Sequence, residues 1–389
     1  MTRLAVYGAA QGFDGREAAM KATQVALDQL GSLKPVLAIP FVSEEFDTPE
    51  VLNGLVSLLG DTPLWGISTV RTLTGDVEIA HSVVVVLIAG NDLKAAVHWY
   101  PGFTEDSQEV ARQVARTLKQ ELLLPQAVLL AADGVAGNLG PICTSLTDVP
   151  VPVAGCLASG SYSAGKTYLY GKNMAGSGAL AASLLSGRFR MGSGAAQGWQ
   201  DTGLSFTVTR ARDVWVQALD GKPVTEIYGQ VFSRPAREWS FPPLNELVRL
   251  YPLGIEPALR SDELVLRSPL RVEVDGGMRM SAPVSEGAVV HLMLGDPDLC
   301  LQAAESAVRQ ALVNLGKAHP MVALAFIDLA WLYLFENRPN QVAKALQEAL
   351  GSIPLVGAYT LGQVLRTSLN FAPVIYNQGV TVQIIGCTE

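Results

Sequence analysis

One short pattern is spelled three times in this chain: Pro63-Leu64-Trp65-Gly66-Ile67-Ser68-Thr69, Pro152-Val153-Ala154-Gly155-Cys156-Leu157-Ala158-Ser159, and Pro354-Leu355-Val356-Gly357-Ala358-Tyr359-Thr360. Gly66 and Gly155 lie 89 residues apart, and Gly155 and Gly357 lie 202 apart. Internal recurrence constrains a fold more than any local motif, because each copy must find a similar setting. Each copy follows an amphipathic stretch and precedes a second apolar run, ending at Gly90, Gly187 or Gly386. This reads as three copies of one unit, with an extra block inserted before the third. The three glycines are expected in turns that lie where the copies meet, so a site built from them would lie there too.

The first unit opens with a strand at 4–7. Asp14 and Glu17 then have capping-box spacing ahead of a helix that carries Ala19, Ala22, Ala26 and Leu30 on one face. The continuous apolar run 36–41 is expected to be a strand buried on both faces, and Thr48-Pro49-Glu50 opens a second helix. A strand at 82–89 closes the unit. The second unit repeats this order with a helix around 110–122, a strand at 127–132, a short helix near 136–146 and a strand at 179–185. The third has a helix at 301–315, a strand at 321–327, a helix through Val342 and Ala349, and a strand at 380–385. Alternating helices and strands joined by short connections predict an α/β fold, with mixed sheets flanked by helices. The block 188–298 differs. Its strand-like runs, the Asp220-Gly221 and Asp275-Gly276-Gly277 turns and a proline-rich crossing predict an antiparallel meander. A boundary between 197 and 198 would leave two domains, 1–197 and 198–389.

Composition excludes several functions. Apolar residues make up 49% of the chain against 16% charged, which argues for packed cores rather than disorder. A net charge of −8 opposes binding to phosphate backbones or anionic lipid. The arginines crowd into the meander block, but acidic residues outnumber basic ones there. The four cysteines are scattered, which fits a reducing compartment better than a disulfide framework or a zinc site. No secretory leader is read, and the apolar stretches 83–89 and 321–335 fall short of the roughly 18 residues of a membrane span. The expectation is a soluble, cytoplasmic protein without nucleic-acid partners or membrane insertion.

With Asp133-Gly134, Gly137-Asn138 and the Gly155 segment, the sequence resembles the FIST family, whose members pair a FIST N domain with a FIST C domain. Asp220-Gly221-Lys222-Pro223 with Tyr228, the run 283–287, Tyr359-Thr360-Leu361-Gly362 and Asn377-Gln378 extend the likeness over nearly the whole chain. The resemblance implies an intracellular sensory module that binds a small ligand such as an amino acid and regulates a signalling partner; some members bind haem and respond to nitric oxide. Three acidic positions usual in the family are neutral or basic here, at Val70-Arg71-Thr72, at Ser159-Gly160-Ser161 and at Gln363. A ligand ammonium would therefore lose its counter-charges, and a neutral or anionic ligand is easier to accommodate.

Other motifs have a plain reading beside the sharp one. The segment Gly160–Thr167 matches the phosphate-loop pattern G-x-x-x-x-G-K-[ST], but that chemistry needs a helix to come next, and 168–173 reads as strand and turn. Cys156 after Gly155 could be an activated thiol, or a small buried residue packed beneath the glycine turn. His98, among Val97, Trp99 and Tyr100, could ligate haem or simply pack. Asp328 interrupts an apolar run, and Asp133 ends the matching strand of the second unit. A carboxylate there must be paired or hydrogen-bonded, and strand ends are also where α/β sites collect.

The sequence thus predicts a sensor whose cleft draws polar contacts from Ser68, Thr69, Asp133, Ser159, Asp328, Tyr359, Thr360 and Asn377. Its output would pass through a separate protein such as a histidine kinase or a diguanylate cyclase. Two other readings are a haem-binding nitric oxide sensor and a hydrolase with Ser68, Ser159 or Thr360 as nucleophile and Lys166 as base. A scaffold with no ligand is a further possibility.

Overall fold

The computed structural model describes residues 3–121, 125–160, 165–256, 264–366 and 368–388. The chain forms three six-stranded mixed sheets and one antiparallel sheet of eight strands, with helices packed on the outer faces of the mixed sheets. In each mixed sheet a lead strand (Pro35–Ser43, Pro125–Ala132 or His319–Asp328) runs parallel to a glycine strand (Trp65–Thr69, Val153–Leu157 or Leu355–Thr360). A return strand (Ser82–Gly90, Leu180–Ser186 or Gly379–Cys387) lies antiparallel on the other edge of the lead strand. An outer strand (Arg3–Gln11, Lys94–Tyr100 or Phe189–Gln197) pairs antiparallel with the return strand.

The remaining two places in each sheet are taken by a short hairpin that comes after a different sheet's glycine strand in sequence. The pair Leu169–Gly171 and Met174–Gly176 lies against Trp65–Thr69. The pair Gly362–Leu365 and Val374–Tyr376 lies against Val153–Leu157. The pair Thr72–Thr74 and Val77–Ile79 lies against Leu355–Thr360. Each mixed sheet is therefore completed by chain from another.

The expectation of turns at Gly66, Gly155 and Gly357 is corrected: all three lie inside the parallel glycine strands. A Cβ on Gly66 would stand 2.0 Å from Pro40 O, one on Gly155 2.2 Å from Leu130 O, and one on Gly357 2.3 Å from Ala325 O. Glycine is present so that two strands can approach closely, not so that the chain can bend.

The inner faces of the three sheets share one apolar core, with Phe41 and Trp65 from the first, Ala131 and Cys156 from the second, and Phe326 and Ala358 from the third. The Phe326 ring meets Phe41 and Trp65 edge-on, at centroid distances of 6.0 and 6.4 Å. Fully burying such a side chain stabilises a fold by roughly 1.5–3 kcal/mol. Cys156 belongs to this core, and burial pushes its thiol pKa far up, so the packing reading of that residue holds.

The helices begin where the sequence places their caps. Asp14 Oδ1 accepts the Glu17 N–H at 2.8 Å, ahead of the helix Gly15–Leu30. Asp47, one residue before the expected start, accepts the Glu50 N–H at 3.1 Å and opens Thr48–Leu59. The apolar run 321–335 is not one element. Its strand ends at Asp328, which caps the short helix Leu329–Leu334 through the Ala330 N–H. The meander block forms the antiparallel eight-stranded sheet, and it also contains a helix, Val224–Val231, that its strand-and-turn pattern does not announce. Its core gathers Val216, Leu219, Tyr228, Trp239 and Met278. The expected 197/198 boundary falls between the outer strand Phe189–Gln197, which pairs with Gly379–Cys387, and the first strand of this block, Trp199–Arg212. Among the described residues, no helix is long and apolar enough to cross a membrane.

Candidate functional site

The C-terminal ends of the three glycine strands converge. Ser68 Oγ donates to Ser159 O at 3.0 Å and accepts the Tyr168 N–H at 2.9 Å. Ser159 Oγ donates to Tyr359 O at 2.6 Å and accepts the Val70 N–H at 3.1 Å. Thr69 Oγ1 donates to the same Tyr359 carbonyl at 2.8 Å, while Thr360 Oγ1 bonds Ile327 O and takes the Gln363 amide N–H. Sequence reasoning brings these five residues together, and the fold does so too. All five are buried, and the four hydroxyls among Ser68, Thr69, Ser159 and Thr360 are engaged with neighbouring backbone. The arrangement ties the three sheets to one another.

Asp133 and Asp328 do equivalent work at the ends of their lead strands. Asp133 Oδ1 accepts the Val135 and Ala136 N–H groups, and Oδ2 accepts Gly178 N–H at 3.0 Å, just before the return strand. Asp328 Oδ1 accepts Ala330 N–H, and Oδ2 accepts Gln378 N–H at 2.8 Å, again just before the return strand. In the first sheet Ser43 Oγ takes this role, accepting Ser82 N–H at 2.9 Å. These side chains staple the end of one strand to the start of another. Burial raises the Asp328 pKa from 3.8 to about 6, against the lowering effect of its two backbone hydrogen bonds and of Arg249.

Asn377, the eighth predicted residue, lines a cavity of about 630 Å³. The cavity opens between the eight-stranded sheet and the hairpin strand Val374–Tyr376, with the helix Gly140–Ser145 alongside. Its walls are mostly apolar, with Leu264, Leu266, Val284 and Ile375 among them. Ligand sites are typically apolar concavities holding a few placed polar groups, and the lining here includes Gln197, Glu256, Arg267, Ser285, Tyr376 and Asn377, with the thiol of Cys143. Arg267 donates to Leu266 O at 3.0 Å and Pro283 O at 3.4 Å, and no carboxylate among the described residues lies within ion-pair distance. Desolvation lowers its pKa to about 10, while burial raises the Cys143 thiol to about 12. Sequence reasoning does not reach Arg267 or Cys143. The crowding of arginines in the meander block is the available signal, but it does not single out which of them lines the cavity.

The other motifs resolve to plain structure. Of the phosphate-loop pattern, residues 161–164 lie outside the described residues; Thr167 leads into the strand Leu169–Gly171, not a helix, and its Oγ1 accepts Gly134 N–H. His98 Nε2 is 3.0 Å from Glu121 Oε2, so that ring nitrogen is already engaged. No histidine among the described residues lines the cavity. No cluster among the described residues has the makings of a metal site. Arg71 lies 3.9 Å from Glu78, whose buried carboxyl faces Tyr359 and has its pKa raised by desolvation.

A family model described as FIST N domain matches residues 36–222, and one described as FIST C domain matches residues 225–366. No curated protein matches. Among solved structures, a chorismatase is similar at 9% identity, with both chains covered over 100% of their length and a TM-score of 0.37. A cyanuric acid hydrolase from A. caulinodans is similar at 8% identity, with 100% of both chains covered and a TM-score of 0.40. PurL from T. maritima, complexed with FGAR, is similar at 10% identity over 99% of this chain and 72% of its own, with a TM-score of 0.24. Likenesses this distant say nothing of activity.

Proposed function

The chain belongs to the FIST family, and on that premise we propose that it is an intracellular sensor that binds a small molecule and regulates a separate signalling partner. FIST domains are sensory domains of signal-transduction proteins. The observation that carries the ligand-binding reading is the apolar cavity of about 630 Å³ with Arg267 and Asn377 in its wall. Its volume suits a small organic molecule, and its walls come from two parts of the chain whose relative position a ligand could bias. The four free cysteines fit a reducing compartment. A histidine kinase or diguanylate cyclase is the kind of partner that would supply the output.

The protein acts by binding rather than by turnover. A hydroxyl nucleophile needs a base in hydrogen-bond reach, whereas Ser68 and Ser159 direct their hydroxyls at backbone carbonyls and the Lys166 side chain is exposed. A thermal-shift screen of amino acids, nucleotides, haem and small carboxylic acids, run beside esterase and amidase assays, tests this. Stabilisation without turnover is expected. Turnover of an ester or amide would replace the sensor with an enzyme, and no shift with any compound would leave a scaffold.

A further inference from the structure

We propose that the cavity recognises a small organic anion, whose carboxylate is held by Arg267 and whose apolar body lies against Leu266, Val284 and Ile375. The inference rests on the ligand-binding reading above and names the chemistry of its ligand.

One observation carries it: a guanidinium in a mostly apolar wall that donates to two backbone carbonyls, Leu266 O and Pro283 O. A desolvated cation is ordinarily paired, and a planar guanidinium presents its remaining N–H groups in a fork that matches a carboxylate. Glu256, also on the lining, is exposed, so solvent screens its charge.

Asn377, also on the lining, does not add to the charge selection: Ser281 Oγ donates to its Oδ1 at 2.6 Å, and its Nδ2 is turned toward Gly362 with almost no accessible surface. One cation, with no buried carboxylate set against it among the described residues, selects for negative charge.

Arg71, Ser159 and Gln363 do not line this cavity. The preference for an anion is therefore a property of residues in the wall itself.

The test is calorimetric titration of the full chain with a series of monocarboxylates from acetate to naphthoate, each beside its own amide. At least one acid is expected to bind, and its amide roughly tenfold or more weaker, because the charged hydrogen bond is lost. Arg267→Gln should abolish that preference, and Arg267→Lys should restore part of it, through charge without the fork. Ser285→Trp, at an exposed position on the lining, should weaken acid and amide together while leaving the core intact. Equal binding of acid and amide, or a preference that survives Arg267→Gln in a folded variant, would overturn the anion assignment and leave the sensor standing. Binding by no acid would overturn it as well. A wild-type protein that no compound of the broader screen stabilises would remove the ligand-binding reading too.

Discussion

Asp328 couples the junction of the third sheet and the eight-stranded sheet to pH. Its carboxyl titrates at about 6 in the folded protein, against 3.8 for a freely solvated aspartate, so the fold holds this proton more tightly than the unfolded chain does. A group of this kind contributes stability that is fully present below pH 3.8 and is lost as pH rises through about 6. The displacement corresponds to about 3 kcal/mol in order of magnitude. Asp328→Asn should therefore flatten the dependence of the urea midpoint on pH between about 4 and 6. An unchanged slope would mean that another group carries the proton. Around Asp328, Gln378 donates through its side chain to Arg249 O at 2.7 Å and Ser268 Oγ at 2.8 Å, and so links the third sheet to the strand register next to the cavity.

The glycine strands show why a repeated tetrapeptide spacing persists without a turn to explain it. Each runs parallel to its lead strand, with the neighbour's carbonyl oxygen too near for any Cβ. Gly66→Ala, Gly155→Ala or Gly357→Ala must push two buried strands apart, at a cost of about 1–3 kcal/mol each. Chemical denaturation checks this, and a neutral substitution at any of the three would show that the strands can separate freely. Long elements are legible because their periodicity is local: the helix Gly15–Leu30 announces itself by the Asp14–Glu17 spacing, and the strand Ser82–Gly90 by its continuous apolar run. The hairpins are not. Three-residue strands such as Thr72–Thr74 have too few positions to show a period, and they owe their existence to a partner far away in sequence.

The exchange of hairpins makes the three mixed sheets interdependent. The third sheet takes Thr72–Thr74, Val77–Ile79 and Phe189–Gln197 from the N-terminal half, and the second takes Gly362–Leu365 and Val374–Tyr376 from the C-terminal half. A fragment comprising residues 1–197 would lack the partner strands Leu355–Thr360 and Gly379–Cys387 and would expose the apolar residues they cover. It should fail to fold alone, as judged by dispersion in its amide spectrum and by cooperative melting. A fragment that melts cooperatively at a temperature like that of the full chain would show two independent domains.

The order of helices and strands, the caps, the antiparallel block and the kinship with FIST proteins are all written in the sequence, because each depends on residues close along the chain or on motif order. So is the convergence of Ser68, Thr69, Ser159, Tyr359 and Thr360, since copies of one pattern tend to occupy like places. Whether those hydroxyls face a ligand or a backbone carbonyl, and which arginine lines the cavity, are decided elsewhere. Both are questions of distance between segments more than a hundred residues apart: Ser159 reaches Tyr359 O, and Arg267 shares a wall with Asn377 and Cys143. Only the packing of the sheets sets those distances, and with them the place of the cavity.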